Sequence, residues 1–111
     1  MQDIIDACHK VVRYTDRMSL EEFQNNPLIF DAVVLNLLIV GEASKHLPDE
    51  AKLAMPGVEW SLAARFRNLV AHHYYTLDPD MVWDIVRLEI PHMETTARQY
   101  LNDQGVVPDF P

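Results

Sequence analysis

The chain has a single cysteine, three glycines and only about half as many basic as acidic side chains. Each shortage removes a class of protein. One cysteine, Cys8, forms no internal disulfide. Its place on a helical apolar stripe reads as a small buried hydrophobe in a reducing compartment. There is no cysteine cluster with metal-ligand spacing, no glycine-rich phosphate loop and no serine nucleophile elbow. His72 and His73 are adjacent, so on a helix they point about 100° apart. They also lack the i, i+4 spacing and the glutamate of a zinc-protease helix, so neither metal nor cofactor is expected. Nine Lys and Arg against 17 Asp and Glu give a net charge of −8 and a pI near 4.9. That is the opposite of the broad basic footprint of a nucleic-acid binder. The opening Met-Gln-Asp-Ile-Ile-Asp has no basic region leading into an apolar core, so no signal peptide is expected. The longest apolar run is interrupted by Asp31 and Asn36, which argues against a span of a bilayer about 30 Å thick. A cytoplasmic protein with no membrane contact is the expectation.

What is present is a globular composition. With 49% hydrophobic and 23% charged residues in 111 positions, the chain suits one domain, residues 1–105, followed by a frayed tail over 106–111 with two prolines. Ile4, Cys8, Val11 and Val12 recur at helical spacing and predict a helix over 2–16. Ser19 and Glu22 form a capping box for a short helix ending before Pro27, with Phe23 inserted into the core. Asn26 followed by Pro27 starts a helix over 27–46. Its apolar residues from Leu28 to Val40 face nearly every direction, so it must be covered on all sides, in part by a second subunit. Gly41 in this helix permits close backbone approach. Glu42 reads as a buried carboxylate held by an arginine or by backbone donors. Asp49 caps a short helix through Ala54. Trp60, as a core anchor, opens a helix over 59–73 whose apolar face is Leu62, Ala63, Phe66, Leu69 and Val70. Asp78 and Pro79 start the last helix, 79–103, which Pro91 must kink or end at Ile90. Gly105 suits its C-terminal cap. The fold class is therefore all-α, an up-and-down bundle of four main helices plus short connecting helices.

The chemistry concentrates in Arg67-Asn68-Leu69-Val70-Ala71-His72-His73-Tyr74-Tyr75. Histidine exchanges protons near neutral pH, and arginine offers permanently charged planar donors to phosphate oxygens. Asn68 lies one turn below His72 and would orient its ring. Arg67 and His72, five apart, do not stack. They flank a groove, meet through the long arginine, or meet across a second subunit. A helix-end histidine that caps carbonyls, an arginine paired with a carboxylate and core tyrosines are the ordinary alternative.

Arg67, four residues, His72, one residue, Tyr74, with Asn68 directly after the arginine, resembles the signature of the HepT-like ribonucleases, toxins of the HepT/MntA toxin–antitoxin family in the HEPN superfamily. The Ile-Ile-Asp-Ala opening, Ser19 to Phe23, Val40-Gly41-Glu42-Ala43, Gly57-Val58-Glu59-Trp60 and Asp78 to Trp83 resemble the same family in the same order, covering residues 3 to 95. The resemblance implies a HEPN-like dimeric fold and metal-independent cleavage of RNA, with Arg67 and His72 catalytic and Asn68 supporting them. It further implies a homodimer neutralised by an MntA-like nucleotidyltransferase antitoxin that AMPylates Tyr74, with Tyr75 pointing elsewhere and inaccessible. Local clustering of Arg65, Arg67, His72 and His73 reconciles RNA binding with the acidic total, at the cost of weak, salt-dependent affinity. The runner-up is a non-catalytic helical module that binds a nucleotide or a protein through the same groove.

Overall fold

Helix starts follow the capping chemistry written in the sequence. In the computed structural model, which describes residues 1–106, α1 spans Gln2–Tyr14 and buries Ile4, Ile5, Ala7, Cys8 and Val11. Ser19 accepts from the Glu22 amide while the Glu22 carboxylate accepts from the Ser19 amide, which closes the capping box of α2, Leu20–Gln24. Asn26 caps α3, Pro27–Lys45, through the Ile29 amide at 3.1 Å. α4, Asp49–Ala54, begins at Asp49 without a side-chain cap, so Asp49 is its first residue rather than its cap. α5 is Trp60–His73, and a 3-10 turn, Tyr74–Thr76, follows it. Asp78 caps α6, Pro79–Asp84, through the Asp80 amide.

The last helix is interrupted ahead of Pro91, as expected, but by a widened turn rather than a kink or a stop at Ile90. A π-helical turn, Ile85–Glu89, joins α6 to α7, Ile90–Asp103. Pro91 has no amide hydrogen and its ring crowds the carbonyl four residues back, so an α-helical register cannot run through it unrelieved. The widened turn just before it absorbs that mismatch. α7 ends in a Schellman motif, with Gly105 at φ 78° and the Val106 amide bonded to the Leu101 carbonyl at 2.8 Å. Of the frayed tail expected over 106–111, Val106 is instead tied into this cap, and 107–111 lie outside the described residues.

The architecture is all-α, with no strand among the described residues. α3 is the hub: α1 packs along one side of it, α5 along another, and α7 closes on α1. Trp60 is buried, as befits an anchor, and Phe23 is fully buried against Phe30 and Trp83. Burial pushes the Cys8 thiol up to about 12, with the Glu94 charge adding to the effect, so it is an unreactive hydrophobe. By length and composition α3 is apolar enough to cross a bilayer, at 19 residues and mean hydropathy 1.7, contrary to the expectation from its polar residues. Asp31 lies near its start, and buried Asn36 satisfies its amide on the Ala32 carbonyl, so neither breaks the run. In this fold α3 serves as the core helix between α1 and α5.

Two apolar surfaces stay open in the single chain. On α3, Leu28, Leu35 and Ile39 are exposed, so the helix is not covered all round by its own protomer. On α5, Leu62 and Leu69 are also exposed, which corrects their assignment to the core. A groove of about 500 Å³ lies between the α5 residues Leu62, Phe66 and Leu69 and the facing Ile85, Ile90 and Met93.

Candidate active site

Gly41 sets the close contact between α3 and α5. A Cβ at this position would lie 2.7 Å from the Ala63 carbonyl oxygen and 2.7 Å from Arg67 Cβ. Only the absence of a side chain lets α5 come this near. Glu42, the next residue on α3, then reaches the guanidinium, with Oε2 3.1 Å from Arg67 Nε. The expected arginine partner is present, but the expected burial is not. Gly41 points inward, and the next position, about 100° round the helix, emerges at the rim and is exposed. His46, one turn further along, places Nε2 3.4 Å from Glu42 Oε1. The hydrogen bond with His46, followed by the Arg67 charge, holds the Glu42 carboxyl below its ordinary value.

Asn68 is bonded to Arg67: its Oδ1 accepts from Nη1 at 3.2 Å. No hydrogen bond connects it to His72 one turn above, so the arrangement supports the guanidinium rather than the imidazole. The arginine side chain is long enough to fold sideways onto its neighbour and takes the amide oxygen first. His72 is exposed and makes no hydrogen bond or ion pair among the described residues. Its ring centroid is 6.5 Å from that of His73. Arg67 and His72 are likewise not hydrogen-bonded to each other, consistent with their splayed spacing.

Tyr74 lies just beyond α5, and its hydroxyl donates to the Asp31 carboxylate on α3. That bond, then partial burial and the negative charge of Asp31, raise the Tyr74 phenol above its ordinary value. Tyr74 is 37% exposed and Tyr75 98% exposed. The expectation that only Tyr74 would be accessible is overturned, because α3 tethers Tyr74 while Tyr75 projects from the 3-10 turn. Asp31 went unnoticed in the sequence as a partner of this tyrosine. The antiparallel register fixed at Gly41 would have pointed to it. A shallow groove of about 380 Å³, lined by Leu38, Ile39, Glu42, Arg67 and Ala71, joins the site to the open stripe of α3.

The arrangement offers a fixed cation with both Nη2 hydrogens unpartnered among the described residues, and an imidazole free to give or take a proton. These are the groups needed to bind a phosphate and move a proton beside it. Among the described residues no three His, Cys, Asp or Glu side chains gather into a metal-binding group.

Comparison with known proteins shows the family. Residues 4–100 match the family model described as "Ribonuclease HepT-like". A Thermococcus cleftensis protein named "Probable ribonuclease HepT" is 31% identical over 94 residues, covering 85% of this chain and 86% of its own. Two Methanocaldococcus jannaschii proteins, each named a "Putative RNase", are 31% identical over 94 residues and 32% identical over 103 residues. The first alignment covers 85% of this chain and 86% of the relative, the second 93% and 85%. No solved structure matches the chain significantly. With almost the whole described chain matched, including both helices that carry the site, the protein belongs to the HepT-like ribonuclease family.

Proposed function

We propose that this protein is a metal-independent endoribonuclease, the toxin of a toxin–antitoxin pair, acting as a homodimer in the cytoplasm. The observation that carries the reading is the pair of groups on α5: half-exposed Arg67, held by Glu42 and Asn68 with Nη2 unpartnered among the described residues, and the exposed, unengaged His72. His72 takes the proton from a ribose 2′-OH or returns one to the leaving oxygen, and Arg67 offsets charge gathering on phosphorus. One imidazole cannot do both tasks in one step. A twofold axis placing the exposed Leu28, Leu35 and Ile39 stripe of one protomer against its partner would supply the second and cover the open apolar face.

Regulation follows from Tyr74. An MntA-like nucleotidyltransferase antitoxin would attach AMP to its hydroxyl, displacing the Asp31 bond and setting a phosphate near the groove that must admit RNA. The added charge would compete for Arg67 and repel substrate. The net charge of −8 favours a second reading, a non-catalytic helical module that binds a nucleotide or a basic protein partner.

The test is cleavage of single-stranded RNA by purified chain. Replacing His72 or Arg67 with alanine should lower the rate by roughly 10²–10³ while leaving the circular dichroism melt in place. Full cleavage by His72→Ala overturns the catalytic assignment. Absence of cleavage by the parent chain, with retained binding of a protein partner, favours the second reading. Incubation with the cognate antitoxin and ATP, followed by peptide mass spectrometry, tests Tyr74; AMP on Tyr75 alone removes Tyr74 from the switch.

A further inference from the structure

Arg67 is held from two sides by groups of different kinds. Glu42 Oε2 forms an ion pair 3.1 Å from Nε, and Asn68 accepts a hydrogen bond from Nη1 at 3.2 Å. A guanidinium is planar with five N–H donors, so the Asn68 bond at Nη1 and the Glu42 charge beside Nε together restrict where the plane can point. Nη2 has no hydrogen-bond partner among the described residues; one of its hydrogens lies on the edge it shares with Nε–H, beside Glu42, and the other faces outward on the end fork. Gly41 makes the arrangement possible, because it brings the α3 backbone to within van der Waals contact of the turn that carries Arg67.

The geometry points to Glu42 as a positioning residue for Arg67, which presents the Nη2 edge of the guanidinium to a phosphate; the role rests on the ribonuclease reading above. Blockade is the competing role for a carboxylate beside a catalytic arginine, and the contact does not fit it. A blocking carboxylate would engage two guanidinium nitrogens in the bidentate manner used for phosphate. Glu42 instead makes a single ionic contact beside Nε, reaches neither Nη1 nor Nη2, and leaves the outward hydrogen of Nη2 to substrate. Stability is not the purpose of the pair either. Both side chains are well exposed, at 37% and 49%, and exposed ion pairs contribute little to folding. Without the anchor, the arginine would sample many rotamers and the transition state would have to order it. His46, bonded to the other Glu42 oxygen at 3.4 Å, steadies the carboxylate.

The experiment uses the full chain with Glu42→Ala, which removes the acceptor, and Glu42→Gln, which keeps an oxygen for Nε, each also in an Arg67→Ala background. Two readouts are taken: kcat and KM on a single-stranded RNA, and the ¹⁵N–¹H signal of Arg67 Nε, assigned by its loss in Arg67→Lys. Glu42→Ala should lower kcat about tenfold with KM changed far less, Glu42→Gln should recover most of the rate, and neither should matter once Arg67 is gone. The Nε signal should shift and broaden in Glu42→Ala and stay near its parent position in Glu42→Gln. An unchanged kcat in Glu42→Ala overturns the positioning role, and a raised kcat overturns it in favour of blockade. A parent chain that does not cleave RNA sinks the ribonuclease reading, and with it the catalytic purpose of the anchor. The Nε signal still decides the anchor separately: unchanged in Glu42→Ala, it refutes the contact, and altered, it upholds it.

Discussion

Replacing Gly41 with alanine probes the contact on which the site depends. The added Cβ would sit 2.7 Å from Arg67 Cβ and from the Ala63 carbonyl oxygen, whereas carbon atoms rest about 3.5–4.0 Å apart. α5 must therefore retreat by about 1 Å, because a backbone carbonyl and a Cβ cannot rotate out of the way. Overpacking of this kind costs about 1–3 kcal/mol, and alanine recovers about 1 kcal/mol through its better helix propensity. A net loss of about 0–2 kcal/mol lowers Tm by up to about 9 °C in a domain of this size. Activity should suffer more, since a shift of about 1 Å in a catalytic group can cost about 10²-fold. The assay is a thermal melt by circular dichroism beside RNA cleavage measured well below the melt. A Tm raised above that of the parent chain would refute the close approach, because helix propensity alone would then set the sign. A lowered Tm with unaltered cleavage would separate the contact from the site.

Leu35→Glu places a charge on the exposed α3 stripe and should turn a dimer into a monomer by sedimentation at micromolar concentration; a parent chain that is already monomeric removes the twofold site. Asn26→Ala deletes the α3 cap and should cost about 1 kcal/mol in urea unfolding, and no change would show that the Asn26–Ile29 bond is unimportant in solution. The folded pKa of Tyr74 lies above its unfolded value, so the link to Asp31 contributes fully below the ordinary phenol pKa of about 10 and is lost as pH rises through the higher folded value. Phenolate titration followed by ¹³C resonance of the ring should therefore move to lower pH in Asp31→Ala, and an unmoved titration contradicts the bond.

Local signals in the sequence translated directly into structure. Ser19, Asn26 and Asp78 each cap the helix they precede, because a capping side chain meets an amide only two or three residues away and needs no knowledge of the fold. Gly105 closes α7 for the same reason. Cross-helix partners were less legible. Glu42 was read with an arginine but placed in the core, and Asp31 was not linked with Tyr74 at all. Both pairs depend on the register of α3 against α5, which periodicity leaves free and the Gly41 contact fixes. Asn68 was assigned to His72 by helical spacing, whereas the reach of the arginine side chain decided its actual partner. The π turn before Pro91 was foreseen only as an interruption, since the choice between kink, stop and widened turn depends on what packs against Val86 and Ile90, both buried.

The groove beside α5 has a thermodynamic consequence. α1 and α3 hold each other and α7 closes on α1, but α5 leans principally on α3, and open space separates its Leu62 and Leu69 side from α7. Opening α5 away from α3 exposes less apolar surface than opening α1, which is gripped on two sides. In the free chain the amides of α5 should exchange with deuterium through sub-global opening, ahead of those of α1 and the middle of α3, which wait for global unfolding. The helix that bears Arg67 and His72 is thus less secured than α1 and α3, and whatever fills the groove or covers the α3 stripe raises its protection by mass action.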